Sequence, residues 1–260
     1  MKAISLAGRY VVVTGGTQGI GAEIARDAAR AGAAGVCITG RNAARGQAVI
    51  DELKQLGSKA LFVAADLADA EATAAIMPAA IAAFGNVDGL VNAAGITDRG
   101  HIEDTPVALW DRMMAVNVRA PFMLTQALVR HLKAGNRPGA IVNIITRSSH
   151  GGQPFLCAYA TSKGALATLT KNNAHALSHD RIRVNGINIG WADTPGEHAI
   201  QARDGKPADW LKRAEPDQPF GRLIKPDDVS TLAVYLLSDA SQMMTGALID
   251  FDQNVMGAYD

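Results

Sequence analysis

The feature that most constrains this sequence is a regular alternation of short apolar runs and longer helical patterns along its 260 residues. Strands that alternate with helices of this length form a parallel sheet covered by helices on both faces. Strands are predicted over 10–14, 35–39, 60–64, 87–91, 140–145, 182–188 and 247–251. Later helices are predicted over 42–56, 69–84, 106–134, 157–178 and 226–238. The alternation therefore predicts an α/β protein.

The first predicted strand leads into a glycine-rich turn, Gly15-Gly16-Thr17-Gln18-Gly19-Ile20-Gly21, and a helical pattern follows at once. Glycines in such a turn let the backbone approach a pyrophosphate, which then lies at the N-terminus of the helix. The glycines are spaced G-xxx-G-x-G rather than G-x-G-xx-G. The context favours a cofactor loop, and an ordinary strand-to-helix turn is the alternative.

The end of the second predicted strand bears on the choice of cofactor. In nucleotide-binding folds an acidic residue near this point binds the ribose 2′-hydroxyl. Gly40 occupies that place here, and Arg41 and Asn42 follow it. An arginine can bind a 2′-phosphate through charge-assisted hydrogen bonds. The sequence thus favours NADP over NAD, unless Arg41 is only a solvated residue at the next helix start.

Three further polar sites stand near strand ends or inside an apolar helix. Asp66, followed by Leu67, is placed to contact an adenine or to cap the next helix. The run Asn92-Ala93-Ala94-Gly95 has small side chains that leave space for a cofactor. Asn117 lies inside the apolar pattern of 106–134, where a buried amide must be hydrogen-bonded. It is either a satisfied core residue or a functional one.

A tyrosine and a lysine lie four residues apart in the predicted helix 157–178, as Tyr159 and Lys163. This spacing puts both side chains on one helical face. A phenol has a pKa near ~10 and is a poor acid or base at neutral pH. A nearby ammonium lowers that pKa, so the pair is a candidate device for proton transfer. An exposed surface helix is the alternative.

Composition excludes several classes of protein. The formal net charge is zero, with 25 basic and 25 acidic residues, so no basic surface for nucleic acid or an anionic membrane is expected. No apolar run is long enough to span a membrane, and no signal peptide is recognised at the N-terminus. Cys37 and Cys157 are expected to be free thiols of a cytoplasmic protein. His150 and His198 are too isolated to suggest a metal site.

Taken together, these motifs resemble the classical short-chain dehydrogenases/reductases, from about residue 6 to residue 252. The resemblance rests on the glycine turn, Asn92-Ala93-Ala94-Gly95, Asn117, the Tyr159/Lys163 pair and the segment from Asn185 to Thr194. It implies a three-layer Rossmann-type fold with a doubly wound, seven-stranded parallel sheet in the order 3-2-1-4-5-6-7. The chain length predicts a single domain over 1–260, and the acidic, proline-containing segment with little periodicity predicts a substrate lid at about 191–220. The resemblance also implies a homotetramer. Helices 106–134 and 157–178 would form one interface of that tetramer, and the last helix and strand another.

The resemblance also implies roles for individual residues. Tyr159 would be the general acid/base, Lys163 would lower its pKa and bind the nicotinamide ribose, and Asn117 would hold a water molecule of a proton relay. The residues implied to contact the cofactor are Gly15, Thr17, Gln18, Gly19, Ile20, Gly21, Arg41, Asn42, Asp66, Leu67, Asn92, Ala93, Gly95, Tyr159, Lys163, Ile189 and Thr194.

Two positions depart from the family pattern. The serine expected thirteen residues before the tyrosine is replaced by Thr146, which keeps the hydroxyl but restricts its rotamer. Ser148 could replace it if the loop were shifted. Ile189-Gly190 stands where the family usually has Pro-Gly, a change expected to alter loop rigidity more than chemistry.

The function implied is NAD(P)-dependent interconversion of a secondary alcohol and a carbonyl in a small molecule. The candidate substrate pocket is polar, which favours a sugar, polyol or sugar acid over a steroid or acyl chain. Its candidate residues are Arg147, Ser148, His150, Gln153 and Trp191, with His198, Asp98 and Arg99. The alternatives are a catalytically silent NADP-binding regulatory protein and a ketoacyl- or steroid-type reductase of the same family. A nucleotide-sugar epimerase or dehydratase would need a further C-terminal domain.

Overall fold

A computed structural model describes residues 4–255 and contains a seven-stranded, entirely parallel sheet. The strand order is β3-β2-β1-β4-β5-β6-β7, which confirms the predicted topology. The strands are β1 (Tyr10–Thr14), β2 (Gly35–Gly40), β3 (Lys59–Ala64), β4 (Gly89–Asn92), β5 (Gly139–Thr146), β6 (Ile182–Ile189) and β7 (Leu248–Phe251).

Nine α-helices are present among residues 4–255. They are α1 (Gly19–Arg30), α2 (Ala43–Gln55), α3 (Ala70–Phe84), α4 (Val107–Met114), α5 (Ala120–Ala134), α6 (Cys157–Ala176), α7 (Pro195–Arg203), α8 (Trp210–Ala214) and α9 (Pro226–Leu237). No helix in this part of the chain is long and apolar enough to cross a membrane.

Two apolar layers cover the sheet, because successive strand residues point to opposite faces. Val11 and Val13 of β1 lie in a core with α1, α2 and α9, whereas Val12 lies in the core of the opposite face with α3 and α5. All three valines are almost completely buried. The central strands therefore read as continuous apolar runs, as expected of a sheet covered on both sides.

The helix predicted over 106–134 is interrupted. Between α4 and α5, residues Ala115–Arg119 form a π-helical turn that contains Asn117. Pro121 stands at the start of α5 and has no N–H group, so one carbonyl of the preceding turn loses its helical donor. Turns of this kind are frequent at functional sites. Periodicity alone does not reveal the change, because both halves keep an apolar face.

The segment expected to form a lid contains α7 and α8 with a short 3₁₀ turn, Glu215–Asp217. α7 begins after Thr194, whose hydroxyl accepts a hydrogen bond from Glu197 N at 3.1 Å. Both cysteines are free thiols, and Cys37 is buried.

Candidate active site

Tyr159 and Lys163 lie one turn apart on α6 with both side chains buried, 9% and 4% exposed. The Lys163 ammonium donates a hydrogen bond to the carbonyl oxygen of Ile144 on β5 at 2.8 Å. Its Nζ atom is 6.0 Å from the centroid of the Tyr159 ring. Parallel strands end at one edge of the sheet, so α6 carries this pair to the edge where open α/β sheets bind ligands.

Burial controls the proton affinities of this pair. Desolvation is the main cause that raises the pKa of Tyr159 to about 12. The hydrogen bond with Thr146 lowers this pKa, and the negative charge of Glu197 raises it further. Desolvation also lowers the pKa of Lys163 to about 8. The expected lowering of the Tyr159 pKa by Lys163 is therefore not found among the protein's own groups. The ammonium is bonded to a carbonyl, and loss of water around the phenol dominates.

The hydroxyl that accompanies Tyr159 belongs to Thr146, the last residue of β5. Thr146 Oγ1 lies 3.3 Å from the carbonyl oxygen of Ile189, to which it donates, and it accepts a hydrogen bond from Ser148 N at 3.2 Å. The Ser148 hydroxyl bonds instead to Gln153. The structure thus places Thr146 beside the phenol, at the position that the spacing indicated.

Asn117 is fully buried, and its amide is held from several sides. Its Oδ1 accepts from Ile96 N, and its Nδ2 donates to Ile96 O and to Ser162 Oγ, each at 3.0 Å. A Cβ atom on Gly95 would lie 3.4 Å from both Asn117 Oδ1 and Lys163 Nζ. The missing side chain at Gly95 therefore keeps Asn117 and Lys163 close to a shared space.

The glycine turn fits the pyrophosphate of a dinucleotide. Gln18 caps α1 without a side-chain hydrogen bond, and the first turn of α1 has no acidic residue. Its N–H groups and positive dipole end are thus available to an anion. Gly15 and Gly19 have φ of +65° and +54°, and a Cβ on Gly21 would lie 2.5 Å from Gly15 O. Side chains at these positions would distort the turn.

An orphaned polar atom lies next to this turn. Asn92 ends β4 opposite Thr14 of β1, and its Nδ2 donates to Asn143 Oδ1 at 2.7 Å. The buried Oδ1 of Asn92 has no partner among residues 4–255. A buried acceptor normally requires a donor. A ribose hydroxyl would supply one, so this atom and the uncapped helix both fit a bound dinucleotide.

The end of β2 has no room for an acidic side chain at position 40. A Cβ on Gly40 would lie 2.5 Å from Thr17 Cγ2, so the glycine turn itself fills that space. Arg41 follows with an exposed side chain. Asn42 accepts a hydrogen bond from Arg45 N at 2.9 Å and caps α2. Arg41, rather than residue 40, is therefore the residue at the end of β2 whose side chain can contact a cofactor.

Asp66 does not cap α3, because Asp69 does so. The Asp66 carboxylate accepts from Ala68 N at 3.0 Å and pairs with Arg112 at 3.0 Å. The backbone hydrogen bond is the main cause that lowers the pKa of Asp66. Leu67 is buried.

Several residues predicted to contact substrate are bound elsewhere. Arg147 forms an ion pair at 2.7 Å with Asp252, whose side chain is 2% exposed. A Cβ on Gly190 would lie 2.3 Å from Asp252 Oδ1, so this buried carboxylate explains the glycine after Ile189. His150 contacts Asp250 at 3.1 Å. Asp250 lies in β7 and Asp252 directly follows this strand.

The segment after β6 carries the rest of the predicted set. Trp191 stacks on Trp210 with ring centroids 5.7 Å apart, and His198 contacts Asp193 at 2.7 Å. Thr194 faces the glycine turn, since a Cβ on Gly19 would lie 3.6 Å from Thr194 Cβ.

In the loop after β4, Asp98 pairs with Arg203 of α7. Arg99 pairs with Asp204 at 2.8 Å, just beyond the end of the same helix. Two charged pairs therefore join this loop to the predicted lid.

Sequence reasoning missed Glu197 and Gln201, which lie on α7. Gln201 Nε2 donates to Glu197 Oε1 at 2.6 Å. The available signal was a carboxylate three residues after Thr194 at a helix start. The segment was interpreted only as a lid. In the described part of the chain, no group of three or more His, Cys, Asp or Glu side chains could hold a metal ion.

Comparisons with known proteins agree with this geometry. Residues 15–253 match the family model described as enoyl-(acyl carrier protein) reductase. A cis-4-hydroxycyclohexanecarboxylate dehydrogenase from Sinomonas cyclohexanicum is 35% identical over 249 residues, which cover 95% of this chain and 96% of that protein. An L-xylulose reductase from Bos taurus is 35% identical over 249 residues, 96% of this chain and 97% of that one.

A solved structure from Beutenbergia cavernae, named as an NAD(P)-dependent gluconate 5-dehydrogenase with NADP bound at low occupancy, has a TM-score of 0.85. It is 36% identical, and the match covers 97% of this chain and 98% of that one. The chain therefore belongs to the classical short-chain dehydrogenase/reductase family. Within that family it is an oxidoreductase that acts on CH–OH groups.

The shifted pKa of Lys163 predicts a pH-dependent stability. Its pKa falls from 10.5 to about 8 in the folded protein, so the unfolded chain binds more protons between these values. The free energy of unfolding contributed by Lys163 therefore rises with pH across this window. Relative to wild type, Lys163→Met should be most stable below pH 8, and that advantage should shrink towards pH 10.5.

Urea unfolding without added nucleotide measures this difference, and Lys171→Met, at an exposed position on α6, is the control. A difference between Lys163→Met and wild type that is constant from pH 7 to pH 11 would contradict the buried, neutralisable lysine.

Proposed function

We propose that this protein catalyses the reversible, NADP-dependent interconversion of a secondary alcohol and a carbonyl compound. The observation that carries the proposal is the buried phenol of Tyr159, hydrogen-bonded with Thr146 and one helical turn from the buried ammonium of Lys163. A proton donor, an orienting hydroxyl and a cation at the carboxyl edge of a dinucleotide-binding sheet are what proton transfer to or from an alcohol oxygen requires.

In the oxidation, Tyr159 as phenolate accepts the proton of the substrate hydroxyl, and in the reduction the phenol returns it to the carbonyl oxygen. Thr146 donates or accepts a hydrogen bond at the same oxygen and holds it against the phenol. When bound, the cofactor supplies the hydride chemistry, and its oxidised ring brings a positive charge that lowers the pKa of a nearby phenol. Lys163 binds the ribose hydroxyls, and Asn117 holds a water molecule that passes protons from Lys163 to solvent.

The preference for NADP is supported by Arg41 and by the crowding of position 40. A carboxylate at residue 40 would collide with Thr17, so no acidic side chain at that position binds the ribose 2′-hydroxyl. The guanidinium of Arg41 is exposed and can bind a 2′-phosphate. The related structure that contains NADP is in accord with this preference. Gly15, Thr17, Gln18, Gly19, Ile20 and Gly21 would line the pyrophosphate, with Asn42, Asp66, Leu67, Asn92, Ala93, Gly95, Ile189 and Thr194 along the rest of the cofactor.

A small, hydroxylated substrate is favoured. The relatives above are named for a hydroxycyclohexanecarboxylate, a ketopentose and gluconate. Thr146 bonds the phenol of Tyr159, and Glu197 with its partners Gln201 and Arg99 makes the segment after β6 polar. These groups suit a sugar, polyol or sugar acid better than a steroid or a long acyl chain. The intact Tyr159 and Lys163 pair, in turn, disfavours a silent binding protein.

We further propose a homotetramer. β7 is a terminal strand of the sheet, and Phe122 on α5 is 46% exposed, so a strand edge and an apolar helical surface are both available for contacts. A mass of about four times 27.2 kDa in light scattering would support this assembly, and a mass of 27.2 kDa would overturn it.

Replacement of Tyr159 by phenylalanine tests the mechanism. The ring and its packing remain while the transferable proton is lost, so turnover should fall by roughly 10²–10⁴-fold or more. Binding of NADP, measured by fluorescence titration, should be nearly unchanged. Tyr235→Phe on α9, whose hydroxyl donates to Met244 Sδ at 3.5 Å, is the matched control and should retain activity. Full turnover by Tyr159→Phe, followed at 340 nm with polyols and ketones, would contradict the proposed mechanism.

Replacement of Arg41 by alanine tests the cofactor preference. Loss of charge-assisted bonds to a 2′-phosphate should raise the Kd for NADP by about 10–100-fold, while the Kd for NAD should change little. Arg45→Ala, also exposed and one turn further along, is the control. An equal effect of Arg41→Ala on both cofactors would mean that Arg41 does not read the 2′-phosphate.

A further inference from the structure

A carboxylate outside the predicted site lies in the segment that follows β6, whose last residue, Ile189, accepts a hydrogen bond from the Thr146 hydroxyl. Glu197 is in the first turn of α7, and its side chain is only 16% exposed. The preceding Thr194 faces the glycine turn, since a Cβ on Gly19 would lie 3.6 Å from Thr194 Cβ. Desolvation is the main cause of the raised pKa of Tyr159, and the negative charge of Glu197 adds to it. The first turn of α7 is fixed by Thr194, whose hydroxyl caps it at Glu197 N. Glu197 is therefore held in a defined position on the lid side of the cleft.

Three donors hold one oxygen of this carboxylate. Oε1 accepts from Trp191 Nε1 at 2.9 Å and from Gln201 Nε2 at 2.6 Å, and Arg99 NH2 lies 3.5 Å from it. Gln201 is itself 4% exposed. The contacts that Glu197 makes with side chains of residues 4–255 all reach Oε1. The second oxygen, Oε2, is left to accept a hydrogen bond from a ligand.

Aromatic and cationic side chains lie around the Glu197 carboxylate. Trp191 is 38% exposed and rests on Trp210, so one side of its ring is supported and the ring can contact a ligand. Arg99 lies over the Phe155 ring, 5.7 Å from its centroid. The neighbouring Gly100 is bridged to Leu156, three residues before Tyr159. The loop after β4 therefore contacts the loop before α6 and also, through Asp98 and Arg99, the helix α7 and its C-terminal end.

The charges in this wall disfavour an anionic group. The guanidinium of Arg99 is already paired with Asp204 at 2.8 Å and with Glu197 at 3.5 Å. Arg203 is paired with Asp98. Two guanidinium groups therefore face three carboxylates, and a substrate carboxylate at Oε2 would meet an uncompensated negative charge. A hydroxyl group there would instead donate a charge-assisted hydrogen bond.

We propose that Glu197 is a specificity-determining residue that accepts a hydrogen bond from a second hydroxyl group next to the reacting carbon, and that the natural substrate is an uncharged polyol or the corresponding sugar ketone. This inference rests on the proposed oxidoreductase function and narrows its substrate class from sugars, polyols and sugar acids to the uncharged members. The relatives named above include both hydroxy acids and an uncharged ketopentose, and Glu197 decides between them in this chain.

Three ring compounds that differ only beside the reacting carbon test the inference. They are cis-1,2-cyclohexanediol, cyclohexanol and cis-2-hydroxycyclohexanecarboxylate, each oxidised by the wild-type protein with NADP⁺ and followed at 340 nm. The kcat/KM of the diol should exceed that of cyclohexanol by about tenfold or more, the effect of one hydrogen bond to a charged group. The carboxylate should be the poorest of the three.

Two variants separate the charge of Glu197 from its reach. Glu197→Gln keeps the shape and loses the charge, so the preference for the diol should fall several-fold and the carboxylate should improve. Glu197→Asp keeps the charge on a shorter side chain that no longer reaches the ligand. The preference for the diol should therefore also fall, while the kcat/KM of the carboxylate compound stays low. Glu103→Gln, at an exposed position on the same side of the sheet, is the control and should leave all three ratios unchanged.

The pH profile distinguishes recognition from a merely structural role. Because the charge of Glu197 raises the pKa of Tyr159, Glu197→Gln should shift the ascending limb of kcat/KM for cyclohexanol to lower pH, whereas Glu197→Asp should shift it less. Suppose that the wild-type protein oxidises these compounds while Glu197→Gln changes neither the substrate ratios nor the pH profile. That result would overturn this inference and leave the proposed function standing. No oxidation of any ring compound, sugar or polyol by wild type would instead overturn the proposed function on which it rests.

Discussion

The burial of two ionisable side chains at the end of β5 is the constraint on which the site depends. Tyr159 and Lys163 are both withdrawn from water, and desolvation moves their pKa values in opposite directions, to about 12 and about 8. Each shift favours the uncharged form. The protein's own groups therefore hold a neutral phenol in place, and in the proposed function the positive charge of a bound oxidised cofactor would make it a base. A site exposed to solvent would lose this dependence.

The fold brings the necessary groups to that point by simple means. Parallel strands end at one edge, so the glycine turn after β1, Asn92 at the end of β4 and Thr146 at the end of β5 come together although they are distant in sequence. The π-helical turn around Asn117 adds an amide from the helical layer. The helix α7, which follows β6, carries Glu197. In the proposed function the strand ends hold the groups for proton transfer, and the helical segment after β6 contributes to the choice of substrate.

The sheet order could be predicted through the resemblance to a known family, and the arrangement of Tyr159, Lys163 and Thr146 could be predicted because its signal is local. Tyr159 and Lys163 are one turn apart, and Thr146 stands at a fixed distance before them. The environment of Arg147 could not be predicted, since its partner Asp252 is 105 residues away. The predicted direction of the Tyr159 pKa shift is wrong for a related reason. A neighbouring ammonium can be recognised in the sequence, whereas the loss of water around a buried phenol cannot. Glu197 was missed because its meaning depends on where α7 lies.

The central claim is that a buried phenol and a hydride acceptor act on the same alcohol in one step. Isotope effects on kcat/KM test it most directly, with a polyol deuterated at the reacting carbon and with D₂O as solvent. Both substitutions are expected to slow the oxidation by the wild-type protein, because the C–H and O–H bonds both break in the rate-limiting transition state. An effect of the carbon deuterium with no effect of D₂O, across the whole pH profile, would contradict proton transfer by Tyr159 in that step.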